Sequence, residues 1–279
     1  MSSGLIVNDN LSSLGAYNNL NASSNAESKA IGELSSGLQI QTAADNPAGY
    51  VQAQSLLSQS NGYTAAMSNA QNGVSLIQTA SGALNQIASL LQTMNSLALS
   101  SANGATNDTA SLGANSQEFT ALQNQIDQIA GTTSFGTTDL LNGSFTGQVL
   151  QIGAFDTTSN QLSLSIATVT SSALGVSTAS ASVATAVSAQ AAVSAVQAAL
   201  ATVASIEAGV GATQNQLSSV VANLTVGQQN LQAAYSGLVD VNFAQETTQF
   251  STDQILVQSG VSMLSQANQS PSMVLKLLQ

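Results

Sequence analysis

Between Pro47 and Pro271 the chain carries no proline, and through most of that interval its apolar residues return every three or four positions. That combination favours long unbroken helices, since an interior proline costs about 3 kcal/mol and a three-four repeat gathers apolar side chains on one face. From Met67 the series runs Ala70, Val74, Ile77, Ser81, Leu84, Ala88, Leu91 and on to Ala98, a heptad seam. One helix is expected from about Asn61 to Ala102, ~60 Å at 1.5 Å per residue, ended by Asn103-Gly104. A shorter helix, antiparallel to it, follows with Phe119, Leu122, Ile126 and Ile129 on one stripe. A second long helix repeats the spacing through Val196, Leu200, Val203, Val210, Leu217, Val221, Leu224, Leu231 and Leu238, with Gly209 and Gly211 as a candidate bend.

The period changes after Thr132. Gln148 to Ile152 and the alternating Leu162, Leu164 and Ile166 read as two strands joined across Asp156 to Asn160. Thr168 to Ser182 is a Ser/Thr/Ala run, expected to be a surface loop or linker rather than a glycosylated segment. The fold class is therefore mainly α: long antiparallel coiled-coil-like helices from both halves of the chain, with a small β-hairpin region in the middle.

Composition narrows the chemistry. The chain has 279 residues, 43% of them apolar, no His and no Cys, and its two basic side chains are Lys29 and Lys276, so Arg is absent. General bases near neutrality are usually His, metal sites favour His or Cys, and phosphate clamps favour Arg. Neither an enzyme nor a cofactor site is expected. A net charge of −11, with no basic patch, argues against nucleic acid and anionic membrane surfaces as partners. Val183 to Ser205 is the best candidate for a membrane span. Ser188, Gln190, Ser194 and Gln197 interrupt it, so a soluble helix and no membrane insertion are expected. Asp45-Asn46-Pro47 reads as turn and helix cap, and Asp240 and Glu246 as solvated or capping carboxylates.

The N-terminus shows no basic region followed by an apolar run, so no general secretory signal peptide is readable. Both ends instead carry apolar stripes: Leu5, Ile6, Leu11 and Leu14 at one, and Ile255, Leu256, Val261, Met263, Leu264, Val274, Leu275, Leu277 and Leu278 at the other. Stripes of that kind call for a covering partner.

Several segments then carry a family resemblance. LSSGLQIQTAADNPAGY (Leu34 to Tyr50) resembles the N-terminal signature of bacterial flagellins. IDQIAGTTSFGTTDLLNGSF (Ile126 to Phe145) and VLQIGAF (Val149 to Phe155) are similar to segments that follow it in the family, and GATQNQLSSVVANL, DVNFAQETTQFSTDQIL and MLSQANQSPSMVLKLLQ match the C-terminal half in order and spacing. The resemblance implies a subunit that polymerises into the helical flagellar filament for swimming motility. It implies export through the flagellar type III apparatus, hence an extracellular location. The partners implied are identical subunits, an export chaperone and the export gate, and the filament cap and hook-junction proteins.

The same resemblance divides the chain. Residues 1–45 and 239–279 become inner-tube helices, 46–145 and 183–238 the two halves of an outer helical layer, and 146–182 a small hairpin with a variable segment. Inner-tube assembly falls to Leu5, Ile6, Leu11, Leu14, Val261, Leu264, Val274, Leu275, Leu277 and Leu278. Outer-layer packing falls to Val74, Ile77, Leu84, Leu91, Leu122, Ile126, Leu200, Leu217, Leu224 and Leu231. Departures from the family are all losses of charge: Gln39 and Gln216 stand at usual Arg positions, and Ala44 precedes Asp45. LQTMNSLAL (Leu91 to Leu99) aligns with the segment read by the vertebrate flagellin-sensing Toll-like receptor, and Thr93, Asn95 and Ser96 replace its charged contacts. No charged residue lies between Asp45 and Asp108 or between Asp156 and Glu207, which reads as an acid-tolerant surface. The hook–filament junction protein and a secreted coiled-coil adhesin or translocator stand as alternatives.

Overall fold

Asn10 caps the first helix, its side-chain oxygen accepting the Ser13 N–H at 3.1 Å. The computed structural model describes residues 10–105 and 107–277, with side chains as far as Gln269. Helix α1 (Leu11–Ser36) ends at Gly37, whose φ of 76° is the left-handed conformation glycine adopts without strain and whose N–H donates to the Glu33 carbonyl at 2.8 Å. In the turn that follows, the Asp45 carboxylate accepts from the Thr42 amide at 2.9 Å and the Thr42 hydroxyl at 3.0 Å. Asn46 then accepts the Gly49 N–H at 2.9 Å, and Pro47 opens α2 (Pro47–Ala102) at the position where a missing N–H costs nothing. Helix α2 thus starts well before the expected Asn61. Its early residues carry no regular stripe, Val51 and Leu57 both being exposed, so the cap announces the helix and the periodicity does not.

The remaining elements are α3 (Thr109–Thr132), β1 (Ser134–Phe135), β2 (Thr138–Asp139), β3 (Gln148–Gln151), β4 (Gln161–Leu164), α4 (Ala186–Val239) and α5 (Phe243–Leu277). They form two compact units, one of residues 1–58 with 231–279, the other of residues 59–230.

In the larger unit α2 and α4 run antiparallel. Gln228 donates to the Thr64 hydroxyl at 2.8 Å, Thr225 meets Met67, Gly73 faces Leu217 and Gly104 faces Ala186. The seam of α2 is Ala66, Ala70, Gly73, Ile77, Ala80, Leu84, Ile87, Leu91, Met94, Ala98 and Ser101, alternating steps of four and three without a fault. This corrects half of the expected series: Ala70, Ile77, Leu84, Leu91 and Ala98 are on it, whereas Val74, Ser81 and Ala88 lie one position to the side and are half-buried. Many seam residues are small, which lets neighbours sit close; a methyl group at Gly73 would stand 3.3 Å from Leu217 of α4 and 2.7 Å from Leu150 of β3. The facing seam of α4 includes Ala189, Ala192, Val196, Ala199, Val203, Val210, Leu217 and Leu224, and its helical residues continue through Gly209 and Gly211. Helix α3 folds back along α2, Asn115 donating to the Ser101 hydroxyl at 2.9 Å, and buries Phe119 and Ile126 in the same core.

The expected hairpin is present. β3 and β4 pair antiparallel with Gln148 opposite Leu164 and Gln151 opposite Gln161. A second, shorter hairpin, β1 with β2, has strands too brief to show an alternation in sequence. Residues 168–182 are not a surface linker. Val169 and Val176 are fully buried, and the Asp127 carboxylate accepts from the Ser171 amide and hydroxyl, both at 2.7 Å. The buried Gln123 amide donates to the carbonyls of Val176 and Ala181 at 2.6 and 3.2 Å. Side chains of α3 therefore replace the regular ladder that this segment lacks.

In the smaller unit α1 and α5 run antiparallel. Asn10 donates to the Ala267 carbonyl at 2.8 Å, Ser13 to Asn268 at 2.6 Å, and Leu20 lies on Gly260. A short antiparallel bridge joins Leu38 and Asp240, with Gln39 N–H donating to Val239 at 2.7 Å and Val241 N–H to Gly37 at 2.9 Å.

Candidate assembly surfaces

The smaller unit is built differently from the larger one. Along α1 the buried residues are Ala30 and Glu33, and along the described part of α5 the buried residue is Asp253. The large apolar side chains face outward instead: Leu11, Leu14, Tyr17 and Ile31 on α1, and Ile255, Leu256, Val261 and Met263 on α5 are each about half exposed or more. Of the residues assigned to this surface from sequence, Leu11, Leu14 and Val261 are exposed and Leu264 is half-buried. Val274, Leu275 and Leu277 fall on the backbone of α5 beyond the described side chains, and Leu5, Ile6 and Leu278 lie outside the described residues. Tyr17 and Ile31 were not expected. Their signal is the continuation of the Leu11–Leu14 spacing, which the polar residues between them dilute.

The residues assigned to helix packing fall in and around the core of the larger unit, apart from Leu231. Ile77, Leu84, Leu91, Ile126, Leu217 and Leu224 are buried, and Val74, Leu122, Leu200 and Leu231 are half-buried. Helix α4 is long and apolar enough to cross a bilayer on length and composition alone. Its buried residues, among them Ala189, Val196, Val203 and Leu217, belong to the core of the larger unit.

The wet faces of the helices are largely uncharged. Ser75, Thr79, Ser89, Thr93, Thr202 and Ser218 each donate their hydroxyl to the carbonyl four residues earlier, so exposed polarity is spent on the helix itself. At the receptor-aligned positions Thr93 and Ser96 are exposed with hydroxyls turned onto their own backbone, and Asn95 is half-buried.

Lys29, Glu33, Asp45, Glu246 and Asp253 of the smaller unit line one cavity of about 510 Å³, together with Gln249 and others. Lys29 pairs with Glu33 at 3.4 Å, one turn apart on α1. Burial raises the Glu246 carboxyl above the ordinary range, the charge of Glu33 on the same cavity pushes the same way, and Lys29 opposes them. Glu246 is half-buried and stands in the first turn of α5. Asp240, by contrast, is exposed and accepts from the Ser236 hydroxyl. Asp45 is held below the ordinary range by the Thr42 amide and then its hydroxyl, as Asp108 is by the Ser111 hydroxyl and amide at the start of α3. Among the described residues no group of three or more carboxylates has the arrangement of a metal site.

Long antiparallel helices, a nearly charge-free wet face and a terminal helix pair that leaves its apolar side chains uncovered define a structural subunit. Comparison with known proteins gives the particular kind. Residues 7–146 match the bacterial flagellin N-terminal helical region and residues 193–278 the bacterial flagellin C-terminal helical region. The flagellin of Halalkalibacterium halodurans is 38% identical over 275 residues, spanning 99% of this chain and 100% of that one. That of Bacillus subtilis is 34% identical over 304 residues, spanning 98% and 99%. The crystal structure of Bacillus cereus flagellin superposes with a TM-score of 0.50 at 25% identity, covering 60% of this chain and 94% of that one. The chain belongs to the bacterial flagellin family and is a subunit of the flagellar filament, an extracellular appendage.

Proposed function

We propose that the chain polymerises through its α1–α5 pair. The observation that carries this is the outward set Leu11, Leu14, Tyr17, Ile31, Ile255, Leu256, Val261 and Met263 on a helix pair that, among its described side chains, buries almost no apolar one. Covering such a side chain is worth about 1.5–3 kcal/mol, and identical copies supply the cover at every lattice contact. Residues 1–45 and 239–279 then form the inner tube, 46–145 and 183–238 the outer helical layer, and 146–182 the small outer segment. The subunit leaves the cell through the flagellar type III apparatus with a chaperone and the export gate, and meets the hook-junction and cap proteins at the ends of the filament. It performs no catalysis and enters no bilayer. Thr93, Asn95 and Ser96 deprive the Toll-like receptor of the charged contacts it uses on other flagellins. The flagellin identity of full-length relatives favours this reading over a hook–filament junction protein or an adhesin.

Deleting Ser270 to Gln279 removes the C-terminal stripe. The expected outcome, read by electron microscopy of sheared preparations, is loss of filaments with the soluble chain still folded. Filaments at normal yield would overturn the proposal.

A further inference from the structure

Four Asn-Gly pairs occur in the chain, at Asn61-Gly62, Asn72-Gly73, Asn103-Gly104 and Asn142-Gly143. Such a pair is chemically labile, because glycine has no side chain to keep its backbone nitrogen away from the side-chain carbonyl carbon of the preceding asparagine. The reaction needs room for that nitrogen to swing onto the carbon, and the fold distributes room unequally. Asn61 and Asn72 lie inside α2, where the glycine nitrogen belongs to the helix ladder. Both glycines are also packed: a methyl group at Gly62 would stand 2.6 Å from Ala154, and one at Gly73 2.7 Å from Leu150. Asn142 lies outside any helix, but its side chain is tied, donating to the Asp139 carboxylate at 2.8 Å and accepting from the Ser144 amide at 3.0 Å and the Ser144 hydroxyl at 2.6 Å. Gly143 beside it is half-buried against Thr168. At Asn103-Gly104 both residues are exposed and lie just past the last residue of α2. The Asn103 side chain accepts one long bond, from the Ala105 amide at 3.3 Å, and the Gly104 amide donates to the Ala102 carbonyl, two residues back, at 3.1 Å.

We propose that Asn103 is a deamidation site, the first of the four pairs to convert, so that the turn between α2 and α3 records the age of the subunit. The Gly104 backbone nitrogen, losing its proton to solvent, bonds to the Asn103 side-chain carbonyl carbon. The bond from that carbon to Nδ2 breaks, ammonia leaves and a succinimide closes. Water then opens the ring at either carbonyl, giving aspartate or isoaspartate, and nothing is oxidised or reduced. Each event makes the chain one charge more negative than its −11 and places a carboxylate in the interval from Asp45 to Asp108, which otherwise has no charge. The new charge stands just past the C-terminus of α2, where the helix carbonyls already present partial negative charge. Those carbonyls are served from this same turn, since Asn107 donates through Nδ2 to the Ser100 and Asn103 carbonyls. In the isoaspartate product the Asn103 main-chain carbonyl becomes the free carboxylate and the backbone gains a carbon, which disturbs the turn that closes α2.

The reaction belongs to the single chain and is independent of polymerisation, so the full-length soluble protein is the material for its test. The protein is held in mildly alkaline buffer over weeks, and peptide mass spectrometry follows the amide-to-acid mass gain at each pair. Asn103 is expected to convert on the order of tenfold faster than Asn61, Asn72 or Asn142, since a helical turn or a side-chain network must open before those can react. A parallel sample in urea shows whether the fold is responsible, because there the four rates should come together. Equal rates in buffer, another pair ahead, no conversion at Asn103 while the urea sample reacts, or a lead that persists undiminished in urea would each overturn the proposal. Asn103→Gln keeps an exposed amide but requires a larger ring that closes far more slowly. It should remove the earliest acidic species seen by ion-exchange chromatography, and persistence of that species would assign the early event to another residue and overturn the proposal.

Discussion

Ile87 is wholly buried on the α2 seam, while its neighbours Ala88 and Ser89 turn progressively out of it. Truncating a buried isoleucine removes its transfer free energy and leaves a cavity that long packed helices cannot collapse around, so Ile87→Ala should lower stability by about 2–5 kcal/mol. Ser89→Ala, on the wet face, should stay within about 0.5 kcal/mol. Urea unfolding of the two variants checks both values, and equal midpoints would place the seam elsewhere. The residue scale is also where the sequence was half legible. Ala70, Ile77 and Leu84 are recovered by any three-four count, but the alternate rung consists of Gly73, Ala80, Ile87 and Met94, and the small residues among these give a hydrophobic count little reason to prefer them to Val74 or Ala88. That Glu33 and Glu246 line one cavity was not legible at all, because the return of α5 along α1 brings them to it.

At the scale of elements, caps and periods carried different information. The heptads announced the bodies of α2 and α4, while Asn46 and Pro47 set the start of α2 where no stripe exists. Residues 168–182 escaped both, since they are held in place by Asp127 and Gln123 from another element and their buried residues follow no period. Helix α4 offers a further test. Gly209 is exposed in its interior and a methyl group there would meet nothing within 4 Å, so the glycine brings only the entropy it loses on folding. Gly209→Ala should raise stability by about 0.5–1 kcal/mol in denaturant unfolding. A loss would mean that the position serves a neighbouring subunit which needs the space.

For the molecule as a whole, charge is distributed as unevenly as it is sparse. Both lysines belong to the smaller unit, and the larger has carboxylates alone. In acid the larger unit therefore goes toward neutrality rather than toward cationic self-repulsion. Asp45 and Asp108 work against this: their lowered values mean stability present above the ordinary aspartate range and lost as pH falls through the folded value, which loosens the starts of α2 and α3. Asp108 caps α3 and Asp45 holds the turn before α2, and Glu246 moves in the opposite sense. Filaments followed by sedimentation from about pH 7 to about pH 2 should keep more of their length than those of a lysine- and arginine-rich flagellin, and equal depolymerisation would refute it. The α1–α5 pair has one more consequence, and it concerns time. Asn10 finds Ala267 across nearly the entire chain, whereas α2 and α3 are joined by a short turn. Closing so long a loop costs entropy that grows with the logarithm of its length, and that cost falls once α2 and α4 have already zipped together. The order of events is thereby written into the topology. The larger unit can acquire its contacts while the chain is still being released, but the smaller one must wait for the last helix to arrive, so the first segment made is the last to find its place.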